Sequence, residues 1–373
     1  MSRKRVLILI KGLGRGGAEQ LLVSAAPYRD TARFDYEVAY LLPQKDALVG
    51  DLQALGLPVH CLGASPPGAW VRGLRRLVRE RDIDLVHVHL AYAAIGARLW
   101  MRGTGVPLVY TEHIVWECYH PATYWANLLT LPFDDHVFTV SERVRHSMRY
   151  PAALRWLPRP VVETLYHGLD PAAVAEWAGD ANSGPVRAEF GLPADAPLVV
   201  TVANFKAHKG YEYLLQAAVE VRKDLPGVRF LLVGQGPLEA EVRAGVRSHG
   251  LESTVVFAGH RADVPRIVAA GDVFTLASLH EGLSIALLEA MAVGTPPVVT
   301  DAGGNAEVVV DGEHGLVVPP ADPHALGAGI MMVLRDSELR RQFGKAGAKR
   351  AGSFDIRASV RRAEMVYERL TRS

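Results

Sequence analysis

Cysteine is scarce in this chain. Its 373 residues include two, Cys61 and Cys118, far apart in sequence. Neither a disulfide framework nor a thiolate metal site is expected from them, and the composition suits a reducing cytoplasm. Net charge is equally scarce. Lys and Arg number 41 against 40 Asp and Glu, a balance of +1, which argues against a protein built mainly to bind nucleic acid. Long apolar runs are missing as well. No stretch of about 18 uncharged apolar residues occurs, so no membrane-spanning helix is expected. The opening MSRKRVLILIKG superficially resembles a signal peptide, but its apolar run, Val6 to Ile10, stops at Lys11 and is too short for an h-region.

The remaining composition is that of a globular chain, 49% hydrophobic and 22% charged, long enough for two domains. Short apolar runs at Val6–Ile10, Tyr36–Leu42, Val59–Leu62, Leu85–Val88, Leu108–Thr111 and Val137–Val140 read as strands. They are mostly continuous rather than alternating, as buried parallel strands are. Helical segments at Ala18–Tyr28, Ala69–Arg81, Tyr92–Arg102 and Ser141–Met148 separate them. The pattern breaks from Arg155 to Ala181, a proline- and tryptophan-containing stretch that reads as an inter-domain connection. It then restarts, with strands at Leu198–Ala203, Phe230–Val233, Val255–Ala258, Val273–Leu276 and Val298–Thr300. Helices are expected near Tyr211–Lys223, Leu238–His249, Leu283–Val293, Asp322–Arg335, Ser337–Gly347 and Asp355–Leu370. Such alternation predicts two α/β units, each a doubly wound parallel sheet with helices on both faces. Ligands of these sheets sit at the carboxyl ends of the strands.

The first strand runs into Lys11-Gly12-Leu13-Gly14-Arg15-Gly16-Gly17, where Gly12, Gly14 and Gly17 fit G-x-G-x-x-G. A dinucleotide site also needs an acid at the end of the second strand to hold the ribose. That strand ends Leu41-Leu42-Pro43-Gln44, and Asp46 comes late. An NAD(P)-dependent oxidoreductase therefore stands as an alternative resting on the glycine loop alone. A loop that lets a ligand approach the backbone, or a plain structural turn, accounts for the same glycines. His113, after the fifth strand, is placed to bind a hydroxyl or to act as an acid–base group. Lys206 and Lys209 lie between a strand and a helix, where amines neutralise phosphate or are simply solvated. Gly234, in a further strand-to-helix turn, could form a wall, and Arg261, after another strand, could contact a base.

The stretch Ser278 to Gly304 carries the densest chemistry. Glu281 and Glu289 are eight residues apart, one before an expected helix and one within it, about 12 Å along a helix axis. Between them lie the free amides of a helix start, an anion site. This pattern suits a ligand with a central phosphate and hydroxyls at both ends. A structural alternative is that helices commonly begin with glutamate.

In order and spacing these pieces resemble the retaining glycosyltransferases of family four. The signature is E-x7-E, Glu281 and Glu289 within HEGLSIALLEAMAVGTPPV. It is supported by GGAE after the first strand, VSE at 140–142, Lys209-Gly210, GQGP at 234–237 and GLVVPP ending at 320. The resemblance covers nearly the whole chain. It implies the GT-B fold, two facing Rossmann-like doubly wound parallel-sheet domains with a cleft between them. Residues 1–165 would bind the acceptor, with the C-terminal helix 355–373 packing back on them. Residues 166–354 would form the linker and the donor-binding domain. The implied activity is metal-independent transfer of a sugar, with retention, from a UDP- or GDP-linked donor to a hydroxyl of a glycan, lipid-linked or small-molecule acceptor, without a cofactor.

In that resemblance Glu281 and His113 are the catalytic candidates. Glu289 would bind ribose hydroxyls, while Lys209 and the amides of Gly282, Leu283 and Ser284 would hold the diphosphate. Gly16, Gly17, Asn204, Lys206, Gly234 and Arg261 complete the donor-binding set. Asn204 stands where relatives often carry arginine, which makes Lys206 a candidate for the second positive charge. A non-catalytic nucleotide-sugar binder is a further alternative. The arginines of 71–81, with Trp70, Leu74, Leu77 and Val78 beside them, suggest peripheral contact with anionic lipid at the inner face of the membrane, or a solvated helix packed on the sheet.

Overall fold

The computed structural model describes residues 3–63, 68–149, 151–152, 156, 159–178 and 184–372. The chain divides into two compact units, Met1–His167 with Ile356–Ser373, and Gly168–Asp355.

The first unit is built on seven strands: β1 (Lys4–Ile10), β2 (Phe34–Tyr40), β3 (Val59–Cys61), β4 (Leu85–His89), β5 (Leu108–Glu112), β6 (His136–Thr139) and β7 (Val161–Thr164). They run parallel in the order β3-β2-β1-β4-β5-β6-β7. Val6 to Ile10 are all buried because both faces of β1 are covered. Leu7 and Leu9 face a layer made by the helices Trp70–Glu80, Ala91–Met101 and Pro121–Thr130. Val6, Ile8 and Ile10 face the helices Gly17–Ala25, Val49–Ala54 and Ile356–Leu370. Each such buried aliphatic side chain contributes about 1.5–3 kcal/mol.

Two contacts lock the first helix layer. Gly96 lies against the indole of Trp70, where a Cβ would overlap the ring, so the helices Trp70–Glu80 and Ala91–Met101 pack closely. Fully buried Arg98 joins the second helix to the third. Its Nε lies 3.0 Å from each Asp134 oxygen, and one of its terminal amines donates to Asn127 Oδ1 at 2.6 Å. Burial opposes its charge, but the Asp134 carboxylate outweighs this and the guanidinium holds its proton more tightly than usual.

The second unit has six parallel strands: β8 (Leu198–Val202), β9 (Arg229–Val233), β10 (Val255–Gly259), β11 (Val273–Leu276), β12 (Pro297–Thr300) and β13 (Leu316–Val318). Their order is β10-β9-β8-β11-β12-β13. The chain therefore reverses direction across the sheet between β8 and β11, which makes the carboxyl ends of those two strands a topological switch point.

Several elements differ from the sequence reading. The stretch Arg155 to Ala181 is not a plain connection. It contains β7, the seventh strand of the first sheet, and the helix Pro171–Ala178. Residues 155, 157–158 and 179–181 of it lie outside the described residues. β7 escapes a periodicity search because only Val161 and Val162 are apolar. It is held by pairing with β6 and by Arg362 on Glu163 at 2.5 and 2.8 Å. β13, Leu316–Val318, is shorter still. The helix expected from Leu283 begins at Ile285. Trp70, Leu74 and Val78 are buried in the first core, so the arginine-bearing helix has no apolar face left to lay on a membrane. Among the described residues, no helix is long and apolar enough to cross one.

Replacing Asp134 with Ala should lower unfolding free energy by about 3–5 kcal/mol, because it strands a buried guanidinium. Denaturant unfolding measures this; a loss below about 1 kcal/mol would mean that water reaches Arg98.

Candidate active site

Three turns converge at the carboxyl edge of β8, β11 and β12. The turn after β8 carries Lys209 and Gly210. Gly210 has φ 63°, and a Cβ there would overlap the carbonyl oxygen of Ala277, just past β11. The amide of Leu279 donates to the His208 carbonyl at 2.8 Å. The turn after β12 carries Gly303, with φ 57°. A Cβ there would overlap the carbonyl oxygen of Glu281, and the next amide, Gly304, donates to the Gly282 carbonyl at 2.9 Å. Only residues without side chains fit these approaches. The backbone from Ala277 to Gly282 is thus held by one turn at its start and by the other at its end.

Glu281 accepts from Lys209 Nζ at 2.5 Å and from Ser278 Oγ at 2.7 Å. The sequence reading placed Lys209 on the diphosphate and Glu281 among the catalytic candidates; the structure pairs them. One of the three N–H donors of the ammonium is spent on Glu281, which leaves two for another anion. Ser278 was not singled out from the sequence. A hydroxyl three residues before Glu281 at a strand end is too common a placement to mark it. Thr300 Oγ1 holds the Ser278 carbonyl at 2.6 Å.

The helix Ile285–Ala292 begins where it does because Ser284 is its N-cap, with Oγ accepting the Leu287 amide at 3.3 Å. Among the described residues, the amides of Gly282, Leu283 and Ser284 donate to no backbone carbonyl. Glu289 lies one turn further on. It is half-buried, and among the described residues its carboxylate has no hydrogen bond or ion pair. Burial alone raises its pKa from 4.5 to about 7. An unpaired carboxyl in such surroundings calls for donors from outside the protein.

The other predicted residues are placed as follows. Asn204 follows β8, and Lys206, exposed, precedes the single turn Ala207–Lys209. Gly234 follows β9, and a Cβ there would overlap the Ala203 carbonyl oxygen. The Arg261 guanidinium is already taken up, by Asp263 at 2.8 and 2.9 Å and by Glu189 at 2.6 Å. These residues, with Lys209 and 281–289, belong to the second unit.

Gly16, Gly17 and His113 belong to the first unit. Gly16 is the N-cap of the helix that Gly17 opens. His113 follows β5 and is buried, its Nε2 lying 3.0 Å from His89 Nδ1. Its ring stacks on His167 with centroids 5.1 Å apart. His87 continues the row, bound to Tyr367 at 2.5 Å and Thr111 at 2.7 Å. Burial lowers the pKa of His113, and of His87, to about 3. The imidazole of His113 is therefore neutral near pH 7, a hydrogen-bonding group rather than a carrier of charge. Its backbone is held by fully buried Glu112, which accepts the amides of His113 and Ile114 at 2.9 and 3.2 Å. Tyr110, Trp116 and Tyr119 donate to the same carboxylate at 2.8, 2.8 and 2.7 Å.

Unbonded amides at a helix start, a half-buried unpaired carboxyl and a lysine–glutamate pair thus lie together at the switch point of a doubly wound sheet, the place where ligands of such sheets sit. Residues 2–155 match the glycosyl transferase 4-like domain and residues 184–350 match the glycosyl transferases group 1; the chain belongs to this glycosyltransferase family. It is 29% identical over 305 residues to the alpha-D-kanosaminyltransferase of Streptomyces kanamyceticus, covering 75% of this chain and 78% of that one. It is also 29% identical to the alpha-maltose-1-phosphate synthase of Mycolicibacterium smegmatis, over 81% of this chain and 88% of that one. Among solved structures, Anabaena HepE in complex with UDP-glucose superimposes with a TM-score of 0.85 at 23% identity, covering 97% and 99% of the two chains. The fold is GT-B. Family membership sets aside the oxidoreductase alternative.

Two outcomes are expected. Gly303→Ala should destabilise the protein by more than about 1 kcal/mol, since both its φ and its contact exclude a Cβ; unfolding midpoints test it. Glu289→Gln should stabilise the ligand-free protein at pH 8 but not at pH 4. The folded state holds the Glu289 proton between 4.5 and about 7 while the unfolded chain releases it. Wild-type stability therefore falls as pH rises through that window, by on the order of 3 kcal/mol. Equal melting temperatures at pH 8 would count against the burial of this carboxyl.

Proposed function

We propose that this glycosyltransferase takes a nucleoside-diphosphate sugar, with uridine as the first nucleotide to test, and transfers its sugar with retention of anomeric configuration. The observation that carries the reading is the sequence of groups along one turn and helix. Glu281 is paired to Lys209, the unbonded amides of Gly282 to Ser284 come next, and the solitary carboxyl of Glu289 lies a turn beyond. Glu289 would accept the two ribose hydroxyls, which supply the donors it lacks. The amides and the two remaining Lys209 protons would hold the diphosphate. Glu281 would contact the donor sugar.

In the reaction the bond from the anomeric carbon to the β-phosphate oxygen breaks. The acceptor oxygen bonds the same face, and its proton passes to the leaving phosphate. Negative charge grows on that phosphate, where Lys209 and the amides are already oriented to stabilise it. This supports transfer without a metal. No second carboxylate stands as a nucleophile in the reading, which favours front-face displacement over a covalent intermediate. Residues of the first unit, with neutral His113 among them, would supply acceptor contacts. The acceptor is a hydroxyl of a glycan, lipid-linked or small molecule. HepE, solved with UDP-glucose, is the precedent for the uridine donor.

Glu289→Ala should raise the dissociation constant for the donor about tenfold or more, whereas Glu281→Ala should lower kcat about a hundredfold with a smaller effect on binding. Isothermal titration with UDP-sugars and NMR of the product anomer test both the split and the retention. Full activity in both variants, or an inverted product, would overturn the assignment. Tight donor binding with neither transfer nor hydrolysis would instead make the protein a sensor.

A further inference from the structure

The helices Trp70–Glu80, Ala91–Met101 and Pro121–Thr130 cover the same face of the first sheet, so their outward side chains share one surface. On the first helix that surface is arginine. Arg72, Arg75, Arg76 and Arg79 are all exposed, at spacings that make them neighbours on a helix. Among the described residues, the only ion pair any of them makes is Arg76 with Glu80, at 3.8 Å. All four line a groove of about 1120 Å³ between this helix and the loop after Met101. Among the described residues, the one acid lining it, Asp82, is paired to Arg5 at 3.3 Å. In a chain whose net charge is +1, this concentration of like charge repels itself unless anions approach from outside.

The next two helices carry apolar groups outward. Leu99 and Trp100 are 47% and 43% exposed, and Trp125 and Leu129, one turn apart, are 47% and 50% exposed. Their helices are bound through buried Arg98, and the arginine helix is bound to them through Trp70 on Gly96. The arrangement is rigid and mixed, guanidinium beside indole and leucine. That is the chemistry of a lipid–water interface, where phosphates meet arginine and indoles sit at headgroup depth.

We infer that this helix layer docks the protein on an anionic bilayer. The arginine groove seats headgroup phosphates, and Leu99, Trp100, Trp125 and Leu129 enter the interface. The contact is peripheral and differs from an amphipathic helix lying in the membrane, because the apolar side of Trp70–Glu80 is spent in the core. A soluble phosphate ligand would need the groove alone; the four exposed apolar side chains on the same surface favour lipid.

Co-sedimentation of the full chain with phosphatidylcholine vesicles, with and without phosphatidylglycerol, tests this without any nucleotide sugar. Its failure therefore leaves the transferase reading standing. Binding is expected only to the anionic vesicles and should weaken with salt. The double substitution Arg75→Gln with Arg79→Gln should lower the partition coefficient about tenfold or more, and Trp125→Ser should lower it and reduce the blue shift of indole fluorescence. Both variants change exposed side chains and should melt with the wild type. Equal binding to neutral vesicles, or anionic binding unchanged in the arginine variant, would overturn the inference. So would inorganic phosphate that raises the melting temperature and displaces the vesicles at matched ionic strength, since it would make the ligand soluble phosphate.

Discussion

The second unit depends on backbone touching backbone. Gly210 meets the Ala277 carbonyl and Gly303 meets the Glu281 carbonyl, with no side chain between. A methyl group at either place forces the turns apart, and the loop from Ser278 to Ser284 loses its walls. The lysine–glutamate pair and the free amides sit on the loop which that grip holds. Side-chain chemistry is laid over a backbone constraint.

The first unit solves a different problem. Its polar groups near the ends of β4 and β5 lie in the core, where an unpaired one would be costly. Glu112 meets this with donors from Tyr110, Trp116, Tyr119 and two amides. The histidines meet it by remaining neutral and bonding one another, Thr111 and Tyr367. The C-terminal helix brings Tyr367, so it completes the core of a unit whose other residues lie hundreds of positions earlier. Glu289, in the second unit, departs from this economy: among the described residues its carboxyl has no donor.

Most strands were legible, because buried parallel strands are written as continuous runs such as Val6–Ile10 and Phe230–Val233. β7 and β13 were not, since each has too few apolar residues and is made a strand by its neighbours. The start of the site helix was misread at Leu283 because hydrophobicity continues through it; the serine cap one residue later sets the start. The two glutamates, Lys209 and the paired glycines could be found by type and spacing. Ser278 and Thr300 could not, because hydroxyls at strand ends are common and only their partners distinguish them. For the arginine helix the sequence left two readings open, lipid contact or packing on the sheet, and the fold places Trp70, Leu74 and Val78 in the first core.

The sequence by itself determined the α/β class, the repetition of that class in two halves, and the residues of the E-x7-E turn. These follow from local periodicity and from residue types that few other contexts require. The tertiary structure alone decided that Lys209 and Glu281 are partners, that Arg261 is occupied, that His113 is neutral, and which side of the arginine helix faces outward. Each is a matter of distance and burial between residues far apart in the chain, and neither quantity is written in local pattern.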